Sequence, residues 1–89
     1  MMHELAKGIY NERVALLNRL NAAKDARYQR VTDYFWIRMH PDTLRELRTI
    51  PLDDIFRNGL DSNPPRIFNF RIVLDSNMAG WKLEEVRDV

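Results

Sequence analysis

Apolar positions recur along the chain with two different periods, and the change from one to the other divides it. Over residues 1–28 there is no proline, helix formers dominate, and the period is helical. On a wheel of about 100° per residue with Ile9 at zero, Met2, Leu5, Ala6, Tyr10, Val14, Leu16, Leu17 and Leu20 fall on one arc. That arc covers about half the circumference, wider than the ~100° stripe with which a helix meets one core. The width predicts two contacts, one with the domain's own sheet and one with another copy of the chain. Lys7, Gly8, Asn11, Asn18 and Asp25 are placed opposite. Arg13 falls inside the arc, as a snorkelling stem or as an interface ion pair or anion contact. Ile9, Leu16 and Ala23 share a heptad spacing, too few repeats for a coiled coil.

From residue 30 to 40 the period shortens to two. Val31, Asp33, Phe35, Ile37 and Met39 share one face; Tyr34, Trp36, Arg38 and His40 share the other. The first reads as core. The second sets aromatics beside cations, which suits either a covered second face or the stacking of bases. His40-Pro41 ends the strand, and Pro41 fits the first turn of a helix. Thr43 to Glu46 matches a T-x-x-E capping box, so the helix start falls at Pro41 or one or two residues later. Leu44, Leu47 and Ile50 form its inner stripe, with Arg45 and Arg48 outward. Pro51 stops it, and residues 52–57 add a second turn, with Asp53 and Asp54 at its start and Asn58-Gly59 as its stop.

Residues 59–66, with Asn63-Pro64-Pro65, read as loop. Alternation resumes over 66–74, with Phe68, Phe70, Ile72 and Leu74 on one face and Ile67, Asn69, Arg71 and Val73 on the other. Turn residues over 75–80 and a further alternation over 81–86 make 67–86 a hairpin. Two strands alone are marginal, so the 30–40 strand is expected to complete the sheet. The fold predicted is α+β: a long N-terminal helix (1–28) on a small three-stranded, mainly antiparallel sheet, with short helices (41–58) between strands 1 and 2. All of it falls in one domain, 1–89.

Composition narrows the chemistry. There is no cysteine, hence no disulfide, thiolate nucleophile or cysteine zinc site, and only His3 and His40 are left as imidazole ligands. No apolar run approaches the ~20 residues of a membrane span, and no signal-peptide core is visible, so the expectation is a cytoplasmic protein without membrane contact. P-loop, G-x-G-x-x-G, H-E-x-x-H and EF-hand spacings are absent. Ser62 or Ser76 with His40 and an Asp can be written as a triad, but neither serine lies in a nucleophile elbow. His40 reads better as a helix cap or a packing residue. Asp53-Asp54 and Glu84-Glu85 need further ligands to hold a divalent ion. No enzyme, metal or cofactor is expected. The net charge of +1 is small, yet Arg13, Arg19, Lys24, Arg27 and Arg30 face only Asp25 in their segment, and eleven of fourteen cations are arginine, the residue suited to planar contact with carboxylate or phosphate.

The run Ile37-Arg38-Met39-His40-Pro41-Asp42-Thr43-Leu44-Arg45-Glu46-Leu47, with the later Ile67-Phe68-Asn69-Phe70-Arg71-Ile72-Val73-Leu74-Asp75, resembles a pattern in tailed-bacteriophage proteins. In those, a strand runs into His-Pro, a helix follows, and a later strand reads roughly f-G-i-P-V-v-v-d. Asn69 and Arg71 stand here where that pattern has Gly and Pro. The similarity spans about residues 34–83 and implies phage origin, with a host or virion protein as partner and the host cytoplasm or the virion as location.

Three functions follow. The first is a non-enzymatic protein that self-associates through Leu5, Ile9, Arg13, Leu16, Leu17 and Leu20 and acts by protein–protein binding. The second is nucleic-acid or anion binding by the arginine-rich segment 13–38, through Arg19, Lys24, Arg27, Arg30 and Arg38. The third is a small-ligand or nucleotide site between protomers, around Trp36 and Arg38.

Overall fold

The computed structural model describes residues 3–51 and 54–86. Met2 and Asp53, named above, and residue 52 of the span 52–57 lie outside the described residues. The elements are α1 (Glu4–Ala22), a 3-10 turn (Ala26–Arg30), α2 (Val31–Tyr34), β1 (Phe35–Met39), α3 (Pro41–Thr49), α4 (Asp54–Asp61), β2 (Arg66–Ile67), β3 (Phe70–Leu74) and β4 (Trp81–Glu85). The architecture is α+β, and no helix among the described residues is long and apolar enough to cross a membrane.

His3 opens α1 by accepting the Leu5 amide on Nδ1 at 3.1 Å. The helix stops six residues before the end expected. Lys24 turns into the left-handed region (φ 53°), and the Asp25 amide reaches back to the Leu20 carbonyl at 2.9 Å, which closes the helix end without a glycine. Asp25 then caps the next turn, its Oδ1 accepting the Arg27 amide at 2.9 Å. A side chain that bonds the backbone two residues on competes with helix continuation. The strand expected over 30–40 is likewise shorter. Residues 31–34 form a helical turn, supported by the Arg30–Asp33 ion pair at 3.0 Å, a spacing that favours helix over strand.

At the other end of β1, His40 is the cap of α3: its Nδ1 accepts the Asp42 amide at 2.9 Å, with Pro41 in the first turn. The helix therefore starts at Pro41, and Thr43 is not its cap. Leu44, Leu47 and Ile50 are buried. Arg48 faces outward yet ties α3 to the end of α4, donating to the Leu60 carbonyl at 2.9 Å. α4 runs through Asn58-Gly59 rather than stopping there. Gly59 is needed for close approach: a Cβ there would lie 2.8 Å from the Arg66 carbonyl oxygen.

The sheet has four strands in the order β2-β3-β1-β4. β1 runs parallel to β3 (Ile37 opposite Ile72) and antiparallel to β4 (Ile37 opposite Leu83). Two expectations are corrected. β3 and β4 do not pair as a hairpin over 67–86, because β1 lies between them. The 75–80 connection instead passes over the end of β1, with the Asp75 amide on the Met39 carbonyl and the His40 amide on the Gly80 carbonyl, each at 2.9 Å. The 66–74 alternation is split by a two-residue turn at Phe68 and Asn69 (φ 49° and 68°) that pairs β2 with β3, the positive-φ geometry matching the twist of a hairpin. Phe68 turns back onto α1, where its ring meets Tyr10 edge-on at 5.6 Å between centroids.

One cluster of buried side chains joins Ala6, Ile9, Leu16 and Leu20 of α1 to Phe35, Ile37 and Met39 of β1, Phe70 and Ile72 of β3, and the α3–α4 layer. Gly8 is not on the solvent side of α1: it is half-buried, with Trp81 3.6 Å from where its Cβ would stand. All of this lies on one face of the sheet.

Candidate binding surface on the open face of the sheet

Strand alternation sends Trp36 and Arg38 of β1, Arg71 and Val73 of β3, and Lys82 and Glu84 of β4 to the face away from the helices. None of the six is buried, whereas Phe35, Ile37, Met39, Phe70 and Ile72 on the opposite face are 0–5% exposed. Register completes the surface. Arg66 pairs with Arg71, Ile37 with Ile72, and Trp36 with Glu84. One row across the sheet therefore reads Arg66, Arg71, Trp36, Glu84.

Arg38 organises the second row. Its Nε donates to Glu84 Oε2 at 2.6 Å and its Nη2 to Glu84 Oε1 at 3.4 Å, while Nη1 reaches Asp75 Oδ2 at 3.5 Å. The Arg38 hydrogen bond holds the Glu84 carboxyl below its ordinary range, and Glu84 in turn raises the Arg38 guanidinium. Trp36 lies in the middle. Its Nε1 is shut off from solvent with no acceptor among the described residues, while the side chain stays partly exposed. A concavity of ≈ 430 Å³ opens beside it, lined by Trp36, Lys82, Glu84 and Glu85. The Arg71 side chain is exposed and has no hydrogen bond or ion pair among the described residues.

No family model, curated protein or solved structure matches the chain.

The residues expected to bring copies together are mostly spent elsewhere. Ile9, Leu16 and Leu20 are 1–3% exposed, fully used by this chain's own core, and Leu5 packs against the same cluster. Arg13 is half-buried, its Nε shut off from solvent without an acceptor among the described residues. Leu17, with Val14 and the 40%-exposed Tyr10, forms the flank of the arc that stays outside the core cluster.

The expected anion contacts do not converge. Arg27 is held by Asp25 at 2.8 Å and by Glu85, with its guanidinium 5.4 Å from the centre of the Phe35 ring on the helix-covered side. Arg30 is paired with Asp33, and Arg38 with Glu84 on the other face. Arg19 and Lys24 remain exposed and form no ion pair among the described residues. Glu84 and Glu85 point to opposite sides of β4, each answered by its own arginine, so they do not make a joint ligand. Sequence reasoning missed Arg66 and the opposition of two arginines. Alternation had placed Arg71 opposite Phe70 and Ile72, but only the turn at Phe68 and Asn69 brings Arg66 beside it.

These ion pairs carry a pH signature. The Arg27 hydrogen bonds lower the Asp25 carboxyl from 3.8 to about 2, and Arg38 lowers Glu84. Both folded-state values lie below the unfolded ones, so the pairs add stability above the unfolded pKa and lose it as pH falls through the folded pKa. For Asp25 the window runs from about pH 4 to about 2. The urea midpoint is expected to drop through that window. Asp25→Asn should flatten the drop, and an unchanged slope would show that the Asp25–Arg27 pair contributes nothing to it.

Proposed function

We propose that the protein is a non-catalytic binding module whose working surface is the open face of the sheet. The supporting observation is Trp36, a large aromatic at the centre of an uncovered face, with Arg71 unpaired among the described residues beside it. Large aromatics and arginines without intramolecular work are the side chains that anchor binding surfaces. His40, the residue closest to acid–base chemistry in the sequence, spends its Nδ1 on the α3 cap. The groups with displaced pKa values, Asp25, Arg27, Arg30, Arg38 and Glu84, owe the displacement to ion pairs with one another or with a neighbour.

A second reading keeps self-association but moves it from the middle of the α1 arc to its flank, Tyr10, Val14 and Leu17, supported by their remaining outside the core cluster. One experiment separates the two. In a nitrogen–proton correlation spectrum, the Trp36 indole N–H is followed on dilution and on addition of single-stranded DNA, duplex DNA or a polyanion. Movement centred on Trp36, Arg71 and Lys82 is the expected result. Concentration-dependent movement confined to Tyr10, Val14 and Leu17 would transfer the role to α1. A Trp36 resonance that stays still throughout would remove the open face.

A further inference from the structure

The open face carries more positive charge than its own carboxylates use. Arg66, Arg71, Arg38 and Lys82 stand on it against Glu84 and Asp75, and both of those carboxylates are taken by Arg38. Arg66 and Arg71 are directly opposed across a strand pair and point to the same side. Like charges so placed destabilise a sheet, and a counter-charge between them relieves the repulsion. Arg66 donates one Nη1 hydrogen bond at 3.2 Å to the Asn69 carbonyl of its own turn, which fixes the guanidinium over the hairpin. Arg71 has no such tie among the described residues. Two adjacent guanidiniums in this arrangement suit the tetrahedral oxygens of a phosphate diester.

The same row supplies a stacking surface. Neighbouring strands are about 4.8 Å apart, so Arg71 and Arg66 stand roughly 5 and 10 Å from Trp36. A base lying on Trp36 would have its phosphate within reach of Arg71. Beyond Trp36 the row ends in Glu84, whose carboxylate is already paired with Arg38.

On the reading that the open face is the working surface, we propose that its ligand is single-stranded nucleic acid, one base stacked on Trp36 and the flanking phosphates held by Arg71 and Arg66. A base within a duplex is stacked on both sides and has no face to offer an indole. A four-stranded surface about 15 Å wide also does not enter a major groove about 12 Å across. A second copy fits the face less well: sheets that pack on each other bury apolar side chains, and only Trp36 and Val73 of the six are apolar.

The test is fluorescence anisotropy with a labelled ten-nucleotide oligothymidine, the matching duplex, and thymidine monophosphate as competitor. The single strand is expected to bind with a Kd of about 1–100 µM near 50 mM salt, the range of non-specific association. The duplex should bind at least about tenfold more weakly, and the mononucleotide should not compete at equal nucleotide concentration. Arg71→Ala should lower the salt slope by about 0.7, the value of one phosphate contact on a single strand. Trp36→Ala should weaken binding roughly tenfold with the slope unchanged, and Trp36→Phe should keep most of the affinity. Circular dichroism checks that each variant folds. If Trp36→Ala does not fold, the Trp36→Phe and Arg71→Ala arms decide, and Arg45→Ala on α3 is the neutral control. No binding at about 100 µM protein (the weak end of the non-specific range), equal affinity for duplex, full competition by the mononucleotide, or an unchanged slope in Arg71→Ala would each overturn the proposal. Should the oligonucleotide fail while the Trp36 indole resonance moves on dilution, the nucleic-acid ligand falls, the open face stands, and its occupant is a second copy.

Discussion

Phe70→Ala is expected to remove about 3–5 kcal/mol of stability, the cost of emptying a buried aromatic site. Phe70 is 0% exposed and starts β3, paired with Ile67 across the hairpin. Its ring shares the cluster with Ile37, Met39 and Ile72 and with α1. A domain of this length has roughly 4–13 kcal/mol in total, so the substitution takes a large share of it. The check is the midpoint of urea unfolding by circular dichroism. A loss below about 1 kcal/mol would mean that the surrounding side chains collapse into the space, and that Phe70 is not the centre of the core.

Gly59→Ala is expected to destabilise, against helix propensity. Alanine at an interior helix position is about 1 kcal/mol better than glycine, yet the added methyl at 59 would lie 2.8 Å from the Arg66 carbonyl oxygen. Backbone has to move, at about 1–3 kcal/mol for an overpacked site. The reverse holds at Gly8, where the nearest atom to a new Cβ is a Trp81 ring carbon at 3.6 Å, an ordinary contact. Gly8→Ala should therefore raise stability by up to about 1 kcal/mol. Opposite signs for the same substitution on two helices, read from denaturant midpoints, test the α4–β2 approach. A stabilising Gly59→Ala would contradict it.

What was legible in the sequence was local. The core face of β1, the His40-Pro41 cap and the Leu44, Leu47 and Ile50 stripe are each set by neighbours within a few residues, and they are found where periodicity puts them. The breaks were harder. Lys24 ends α1 in a left-handed conformation without a glycine, and Phe68 occupies a turn position that propensity assigns to Asn or Gly. At the first, capping bonds of Asp25 to Leu20 and Arg27 outweigh the propensity for helix; at the second, the long-range contact of Phe68 with Tyr10 outweighs turn propensity. Strand order was not legible at all. An alternating strand at 81–86 satisfies its hydrophobic pattern equally well beside β3 or beside β1, since both neighbours offer the same apolar face. The binding surface followed the same division. Trp36 and Arg38 could be put on one face from alternation, whereas Arg66 beside Arg71 depends on the turn between them.

The placing of β1 between β3 and β4 also orders events during synthesis. Its two neighbours begin at residues 70 and 81, so when β1 leaves the ribosome neither of its edges has a partner. The edge that β4 will cover stays open until residue 85 is made, an exposed ladder of the kind that recruits foreign strands. Only the β2–β3 pair can close locally, and the long-range pairings on both sides of β1 make late assembly slow. A stalled or truncated chain ending in the 75–80 connection would therefore present a half-finished sheet, and chaperone capture and aggregation would concentrate at that length.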